Sequence, residues 1–313
     1  MMAKPKVLVV MATYNGEKYI KTQIDSILAQ KEVDVTIHVF DDLSKDKTQE
    51  IVKEYEKKHK NVILHINEKN KNYTYNFIDG LFTFKDEQGY DFYSFADQDD
   101  FWVEDKLISA INKIKEIGEC TLYSSNLTIV DGELKPLNRF LRPEDFSFER
   151  HEQLHYCMVT GCTAVFDNAF KNLVTKHYPE GLIYHDYWVG LIANYAKDAH
   201  YYWDKDPSHI LYRQHGNNAS GGSVKYSLWF KIKSKFKGWF VGTKINFYIL
   251  KLLIKYFSEE LNDEDKQVIE KFINYKKWSN KKYLLKHLKC SNKKRFNTKI
   301  LLNRYKEKKL EEM

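Results

Sequence analysis

The sequence predicts an α/β protein built on a mostly parallel central sheet, followed by a basic helical extension. Three observations predict it. Short apolar runs alternate with segments whose apolar residues recur every three or four positions through the first 120 residues. Acidic residues stand directly after two of the runs, at Asp41-Asp42 and at Asp97-Gln98-Asp99-Asp100. The charge is divided as well: residues 225–313 hold 24 Lys and Arg against 9 Asp and Glu, whereas residues 1–224 hold 26 against 34.

Residues 6–12 (KVLVVMA) are continuous and apolar, as expected of a strand buried on both faces. The run stops at the turn Thr13-Tyr14-Asn15-Gly16, after which Ile20, Ile24, Ile27 and Leu28 mark a helix. Residues 35–40 are the next strand, ending at Asp41-Asp42, and residues 46–59 a helix with Ile51, Val52 and Tyr55 inward. A third strand covers 62–66, and a helix 75–84. The fourth strand, 91–96, ends at Asp97 and leads to a helix striped by Leu107, Ile108, Ile111 and Ile114. Further on, Val189, Ile192, Ala193 and Ala196 stripe a helix that starts near Asp186, and 209–212 read as a strand. Repeated strand–helix units argue for a parallel sheet covered by helices on both faces.

Composition narrows the class. The 313 residues are 43% hydrophobic and 15% aromatic, enough for one large core or two modest ones and too apolar for disorder. No GxGxxG follows the first strand and no GxxxxGK[ST] occurs, which disfavours a dinucleotide dehydrogenase and a P-loop NTPase. The four cysteines form no CxxC pair and no zinc spacing, so reduced thiols are expected. After Lys4 and Lys6 only six apolar residues stand before the Thr13-Tyr14-Asn15-Gly16 turn, short of a secretory core, and residues 245–257 are interrupted by Lys251 and Lys255. The expectation is a cytoplasmic protein.

The acidic residues carry the chemistry. In an open parallel sheet the carboxyl ends of the strands line the ligand crevice. Two strands therefore deliver carboxylates to one rim, an arrangement that repels itself unless a cation or a donor-rich ligand sits between them. Asp42 is also suited to an Asx-type turn into Ser44, Asp100 to capping the next helix, and Asp186 to capping its own, where the helix dipole would lower its pKa.

The segments Ala12-Thr13-Tyr14-Asn15-Gly16, Asp41-Asp42-Leu43-Ser44, Ala96-Asp97-Gln98-Asp99-Asp100-Phe101-Trp102, Thr160-Gly161-Cys162-Thr163, His185-Asp186-Tyr187-Trp188 and Tyr212-Arg213-Gln214-His215-Gly216-Asn217-Asn218 resemble the signatures of family 2 glycosyltransferases. The last two blocks resemble the bacterial rhamnosyltransferase-type branch, which builds cell-surface and capsular polysaccharides. The resemblance runs from about residue 6 to residue 220. It implies a GT-A-like fold and an inverting, metal-dependent transfer. The sugar, rhamnose favoured or a hexose, would move from a dTDP- or UDP-sugar to a saccharide acceptor, lipid-linked by expectation.

The resemblance also implies roles. Asp99 would bind Mn²⁺ or Mg²⁺, with His215 completing the metal shell or donating to the diphosphate. Asp97 would reach the ribose, or the metal through water. Asp41 or Asp42 would accept from the base, in a pocket completed by Thr13, Tyr14, Asn15 and Gln98. Arg213 would neutralise the leaving diphosphate. Asp186 would be the general base, and Gly161, Thr163, His185 and Trp188 would border the acceptor. Gly161 and Thr163 are expected on the strand before Asp186. The competing readings are a non-catalytic sugar-nucleotide-binding module of the same fold and a nucleotidylyltransferase. The latter wants a glycine-rich basic loop where Thr13-Tyr14-Asn15-Gly16 stands.

The division at residue 222 separates a catalytic domain, 1–222, from an extension, 223–313. In the extension Leu228, Trp229, Ile232, Phe236, Trp239 and Phe240 recur at helical spacing opposite Lys231, Lys233, Lys235 and Lys237. Ile245, Tyr248, Ile249, Leu252, Leu253 and Tyr256 repeat the pattern. Such helices suit the plane of an anionic membrane, which would make the protein peripheral at the inner face of the cell membrane. Packing into a homodimer is the alternative. No recognition motif supports a nucleic-acid partner.

Overall fold

The computed structural model describes residues 3–143, 146–182, 184–215, 243–245, 247–288, 297, 300–301 and 305–307. The chain divides into two compact units. The first comprises residues 1–146, 159–194 and 198–214, and the second residues 147–158, 195–197 and 215–313.

The first unit opens with β1 (Lys6–Thr13), α1 (Ile20–Leu28), β2 (Asp34–Asp41), α2 (Thr48–Lys58), β3 (Val62–Ile66), α3 (Asn72–Thr83), β4 (Phe92–Ala96), β5 (Phe101–Trp102) and α4 (Lys106–Ile117). It continues with β6 (Thr121–Ser125), β7 (Thr128–Val130), β8 (Pro136–Phe140), β9 (Val165–Asp167), α5 (Asn168–Val174), α6 (His185–Tyr195), β10 (His200–Asp204) and β11 (Ile210–Arg213). Seven strands form one sheet in the order β10-β6-β9-β4-β1-β2-β3, and β5-β11-β7-β8 form a second. In the large sheet every pairing is parallel except those of β9, which runs antiparallel to both β4 and β6.

The core explains the element choice. Val7 to Met11 are wholly buried, as a central parallel strand requires. On one face Val7, Val9 and Met11 pack with Ile37 and Val39 against Ile20, Ile24 and Ile27 of α1 and Leu107, Ala110 and Ile111 of α4. Each such side chain contributes roughly 1.5–3 kcal/mol on burial. On the other face α3 approaches closely at Gly80, where a Cβ would lie 2.8 Å from Val10 Cγ1. His38 of β2 and His65 of β3 also face each other, Nδ1 to Nε2 at 2.9 Å, and Phe40 stacks on His65 at 4.5 Å.

Two topological facts position the rim. The register pairs Lys6 with Asp34 and Thr13 with Asp41, so β1 and β2 end together, and the Asp42 N–H donates to the Thr13 carbonyl at 2.9 Å. Because β9 runs against its neighbours, the residues that enter it lie at the end of the sheet where β4 and β6 finish. Gly161–Thr163 are therefore brought to the same rim as Asp97. They form a single 3₁₀ turn rather than the expected strand, which starts only at Val165. A cavity of about 640 Å³, lined by Lys6, Asp34, Thr36 and Tyr90 among others, opens at the opposite, N-terminal edge of β1 and β2.

The second unit contains α7 (Phe247–Phe257), α8 (Asp263–Ile273), α9 (Trp278–His287) and the parallel pair β12 (Thr243–Ile245) and β13 (Tyr305–Glu307). Phe247, Leu250, Leu253, Ile269, Phe272, Tyr275 and Leu284 are buried. Asn262 caps α8, accepting from the Asp265 N–H at 2.8 Å. Arg150 reaches Asp265 with two charge-assisted hydrogen bonds of 2.8 and 2.6 Å, which binds residues 147–158 to the C-terminal helices. Ile249, Leu252 and Leu253 of the predicted amphipathic pattern are buried on α7. Its first part, from Leu228 to Phe240, lies outside the described residues. Among the described residues no helix is long and apolar enough to cross a membrane.

Candidate active site

Three loops at the carboxyl edge of the sheet are stitched together by side-chain amides and hydroxyls. The Gln98 Oε1 accepts from Thr13 Oγ1 at 2.7 Å and from the Tyr14 N–H at 2.9 Å, and its Nε2 donates to the Tyr14 carbonyl at 3.1 Å. Asn15 accepts from the Lys45 N–H at 2.8 Å, and its own N–H donates to Ser44 Oγ at 2.8 Å. Gln98 and Asn15 thus hold the loop after β1 against the loops after β4 and β2. Tyr14 is left 44% exposed over them.

Asp41 and Asp42 are both buried. Asp41 accepts from the Ser44 N–H at 2.9 Å, from Gln49 Nε2 at 2.6 Å and from the Ser44 hydroxyl. The Ser44 N–H is therefore taken by Asp41, three residues back, rather than by the Asx turn expected of Asp42, because the last strand residue sets its carboxylate over that N–H. Asp42 accepts instead from Asn67 Nδ2 at 2.9 Å and from the Lys71 N–H at 2.8 Å, fixing the approach to α3.

The Asp97–Asp100 turn follows β4. Asp100 is wholly buried and accepts from the Arg213 N–H at 3.1 Å. It does not cap the next helix: α4 begins after Asp105, five residues on. Arg213 donates through Nε to the Asp99 carbonyl at 2.7 Å and through its terminal nitrogen to the Gly132 carbonyl, and its guanidinium lies 4.4 Å from the Tyr19 ring centre. It locks the acidic turn from β11. Oxygen atoms of Asp97 and Asp100 and the Cys162 sulfur all lie within 4.8 Å of one another. Burial, followed by the charges of Asp99 and Asp186, holds the Asp97 carboxyl up to about 7. Burial and the Asp100 and Asp97 charges likewise keep the Cys162 thiol protonated, well above its ordinary pKa.

Asp186 is the second residue of α6, and its Oδ1 accepts from the Tyr187 N–H at 2.8 Å. Burial raises its pKa to about 6, so desolvation outweighs the helix dipole that the sequence expectation relied on. That value suits a general base near neutral pH. His185 beside it is buried, stacks on Phe77 at 4.2 Å and meets Phe95 edge-on at 5.3 Å. Burial pushes the ring down to about 3, so it is neutral, and neither nitrogen has a hydrogen-bond partner among the described residues. Gly161 gives this ring its room: a Cβ there would lie 2.6 Å from His185 Nε2. Thr163 is buried, its hydroxyl donating to the Thr160 carbonyl at 2.8 Å, and Trp188 is wholly buried. These two support the turn and α6 from the core. His215 follows β11 and belongs to the second unit; Gly216, Asn217 and Asn218 lie outside the described residues.

Two residues escaped the sequence reading. Lys106 is buried beneath the acidic turn, its Nζ 3.1 Å from Ser94 Oγ and 3.3 Å from the Trp102 ring centre. Burial pulls its pKa to about 7 against the charges of Cys162 and Asp100. The available signal was its spacing, one helical turn before Ala110 on the inner face of α4. Tyr73, in the first turn of α3, is 45% exposed, with its ring edge-on to His185 at 6.3 Å.

Comparison with known proteins agrees with this geometry. Residues 8–173 match the family described as Glycosyl transferase family 2. The dTDP-rhamnosyl transferase RfbG of Shigella flexneri is 31% identical over 237 residues, covering 71% of this chain and 77% of that one. The uncharacterized glycosyltransferase MJ1057 of Methanocaldococcus jannaschii is 31% identical over 206 residues, covering 62% of this chain and 67% of that one. In fold, the chain is similar to S. aureus TarS solved with UDP-GlcNAc, with a TM-score of 0.60 at 16% identity over 96% of this chain and 80% of that one. A strand-end rim of carboxylates on this fold, together with a sequence match over more than half of its length, makes the chain a glycosyltransferase of family 2.

Proposed function

We propose that the protein transfers a sugar from a dTDP- or UDP-sugar, with dTDP-rhamnose the favoured donor, to a saccharide acceptor in cell-surface polysaccharide synthesis, with inversion at the anomeric carbon. The observation that carries this reading is the Gly161–Cys162 turn, which stands within 4.8 Å of the Asp97 carboxylate at the end of β4 on one side and against the ring of His185, the neighbour of Asp186 at the start of α6, on the other. One carboxylate belongs to the donor side and the other to the acceptor side. The similarity to a dTDP-rhamnosyl transferase supports the choice of donor.

In this reading Tyr14 and the buried Asp41 and Asp42 hold the base, with Thr13 at the end of β1. The Asp186 carboxylate takes the proton of the acceptor hydroxyl as the oxygen attacks C1, and the nucleoside diphosphate leaves from the opposite face. The carboxylates of Asp97 and Asp100, which stand together with the Cys162 thiol, and the neighbouring Asp99 suit a hard divalent cation, which prefers oxygen ligands and shares them with phosphates. Mn²⁺ or Mg²⁺ held by Asp99, with Asp97 beside it, would neutralise charge on the departing diphosphate, and the family resemblance names His215 as a further ligand. Arg213 orients the Asp99 backbone and so the acidic turn.

The acceptor is taken to be lipid-linked and the protein peripheral at the cytoplasmic face of the membrane, through the lysine- and tryptophan-rich residues 225–257. Cosedimentation with anionic but not neutral vesicles, weakened by salt, supports this; equal failure to bind either, with a stable dimer in solution, assigns the extension to oligomerisation. The test of the central reading is a donor screen. Nucleoside-diphosphate release is measured across dTDP-rhamnose, UDP-glucose, UDP-galactose and UDP-N-acetylglucosamine, with and without Mn²⁺. Release from dTDP-rhamnose above the others is expected, and no release from any of them overturns it.

A further inference from the structure

Two aromatic rings stand exposed at the rim, and they divide it. Tyr14 is 44% exposed and belongs to the loop after β1, which Gln98 holds against the loop after β4. Tyr73 is 45% exposed, and its neighbours are of the other kind. Its ring meets His185 edge-on at 6.3 Å, and His185 precedes Asp186 in the first turn of α6. Besides burial, the charges of Tyr184, Asp186 and Asp97 all act on its phenol, each raising its pKa.

The backbone under Tyr73 is fixed. Asp42 accepts from the Lys71 N–H at 2.8 Å. Asn72 holds a left-handed φ of 63° and accepts from the Thr74 N–H at 3.0 Å. The residue between them therefore offers a flat face with two side-chain torsions and no loop to order, the kind of anchor that binds at low entropic cost. An exposed large aromatic ring on a rigid backbone, beside a general base and open to solvent, has the chemistry of a pyranose platform. The axial C–H faces of a sugar ring lie against the electron-rich aromatic face, while its hydroxyls stay free for the carboxylate.

We infer that Tyr73 is the platform on which the acceptor pyranose rests, its ring setting which hydroxyl reaches Asp186. The inference rests on the reading of Asp186 as the base on the acceptor side. Tyr73 acts by contact with the sugar and takes no proton in the reaction.

The test reads binding without turnover, so failure of sugar transfer and failure of this inference are distinguishable. Saturation-transfer difference NMR is recorded with octyl α-L-rhamnoside and octyl β-D-N-acetylglucosaminide, each with dTDP present. In Tyr73→Ala the ring-proton signals of the glycoside that wild type binds should fall, with affinity lower by roughly ten-fold, the loss expected for one stacked aromatic face. Tyr73→Phe keeps the face and should retain binding within about two-fold. Calorimetric affinity for dTDP should be unchanged in both, and thermal unfolding of Tyr73→Ala should show a single folded protein with a melting temperature only a few degrees below wild type, because the ring is only half-buried. Unaltered glycoside binding in Tyr73→Ala overturns the inference. A parallel loss of dTDP binding overturns it equally, since the ring would then serve the donor.

Discussion

Gly161→Ala is the smallest change that tests how the site is assembled. The added Cβ would lie 2.6 Å from His185 Nε2, 3.3 Å from Cε1 and 3.7 Å from Cδ2. Ordinary contact begins near 3.4 Å, so the imidazole must retreat by about 0.8 Å, in a core whose density leaves little slack. It has nowhere to go, because its other side stacks on Phe77 at 4.2 Å and meets Phe95. Overpacking of this kind costs about 1–3 kcal/mol, which for a domain of this size lowers the melting temperature by roughly 2–12 °C. The catalytic loss should exceed what stability explains. His185 and Asp186 share the first turn of α6, and a displacement near 1 Å of a reacting group costs on the order of 10²-fold in rate. Thermal unfolding and nucleoside-diphosphate release are measured for Gly161→Ala, His185→Ala and the pair. The double variant should recover the melting temperature of His185→Ala alone, since the clash is gone. A Gly161→Ala protein as stable and active as wild type, or a double variant whose losses simply add, would refute the reasoning.

Other outcomes follow from the same geometry. Asp186→Asn keeps the shape and removes the proton acceptor, so turnover should fall by roughly 10²–10⁴ while donor affinity measured by calorimetry stays level; near-normal turnover moves the base elsewhere. Asp99→Ala should abolish transfer and weaken donor binding mainly when Mn²⁺ is present, and full wild-type activity in excess EDTA would remove the metal role. His38 has its pKa lowered to about 4 by burial and then by the charge of His65, so the unfolded chain binds more protons between its ordinary value near 6.5 and about 4. Its contribution is therefore complete above pH 6.5 and is lost as pH falls toward 4, amounting to about 3 kcal/mol as an upper bound. Urea unfolding at pH 7 and pH 5 should show a steeper loss for wild type than for His38→Gln, and equal losses would contradict this.

The strands of the sheet were legible because each buried one is a continuous apolar run, and the acidic residues were legible because they end those runs. What the sequence hid depends on partners far along the chain. β9 has three residues and no periodicity of its own, and only its pairing with β4 and β6 reverses its direction and carries Gly161 to the rim. Asp100 looked like a helix cap, yet its partner is the backbone of Arg213, 113 residues away. Asn72 at positive φ starts α3 three residues before its apolar pattern does, so Tyr73 appeared to be loop. Lys106 carries no sequence signal beyond its helical spacing, and only the packed Trp102 and Ser94 show that it is interior.

The pairing of Arg150 with Asp265 has a consequence for how the chain is made. Arg150 leaves the ribosome 115 residues before its partner, which at roughly 5–20 residues per second is a delay on the order of 6–23 s. During that interval residues 147–158, with Leu154 and Met158 that end up buried, have no helix to cover them. The strands that complete the large sheet, β9 and β10, are synthesised within the same wait. The nascent protein thus carries an apolar insertion in the middle of its catalytic unit until the last helices arrive. A shortened chain that omits the basic extension never ends that wait. Truncation at the apparent domain boundary therefore removes the fold partner of a segment inside the catalytic sequence along with the tail.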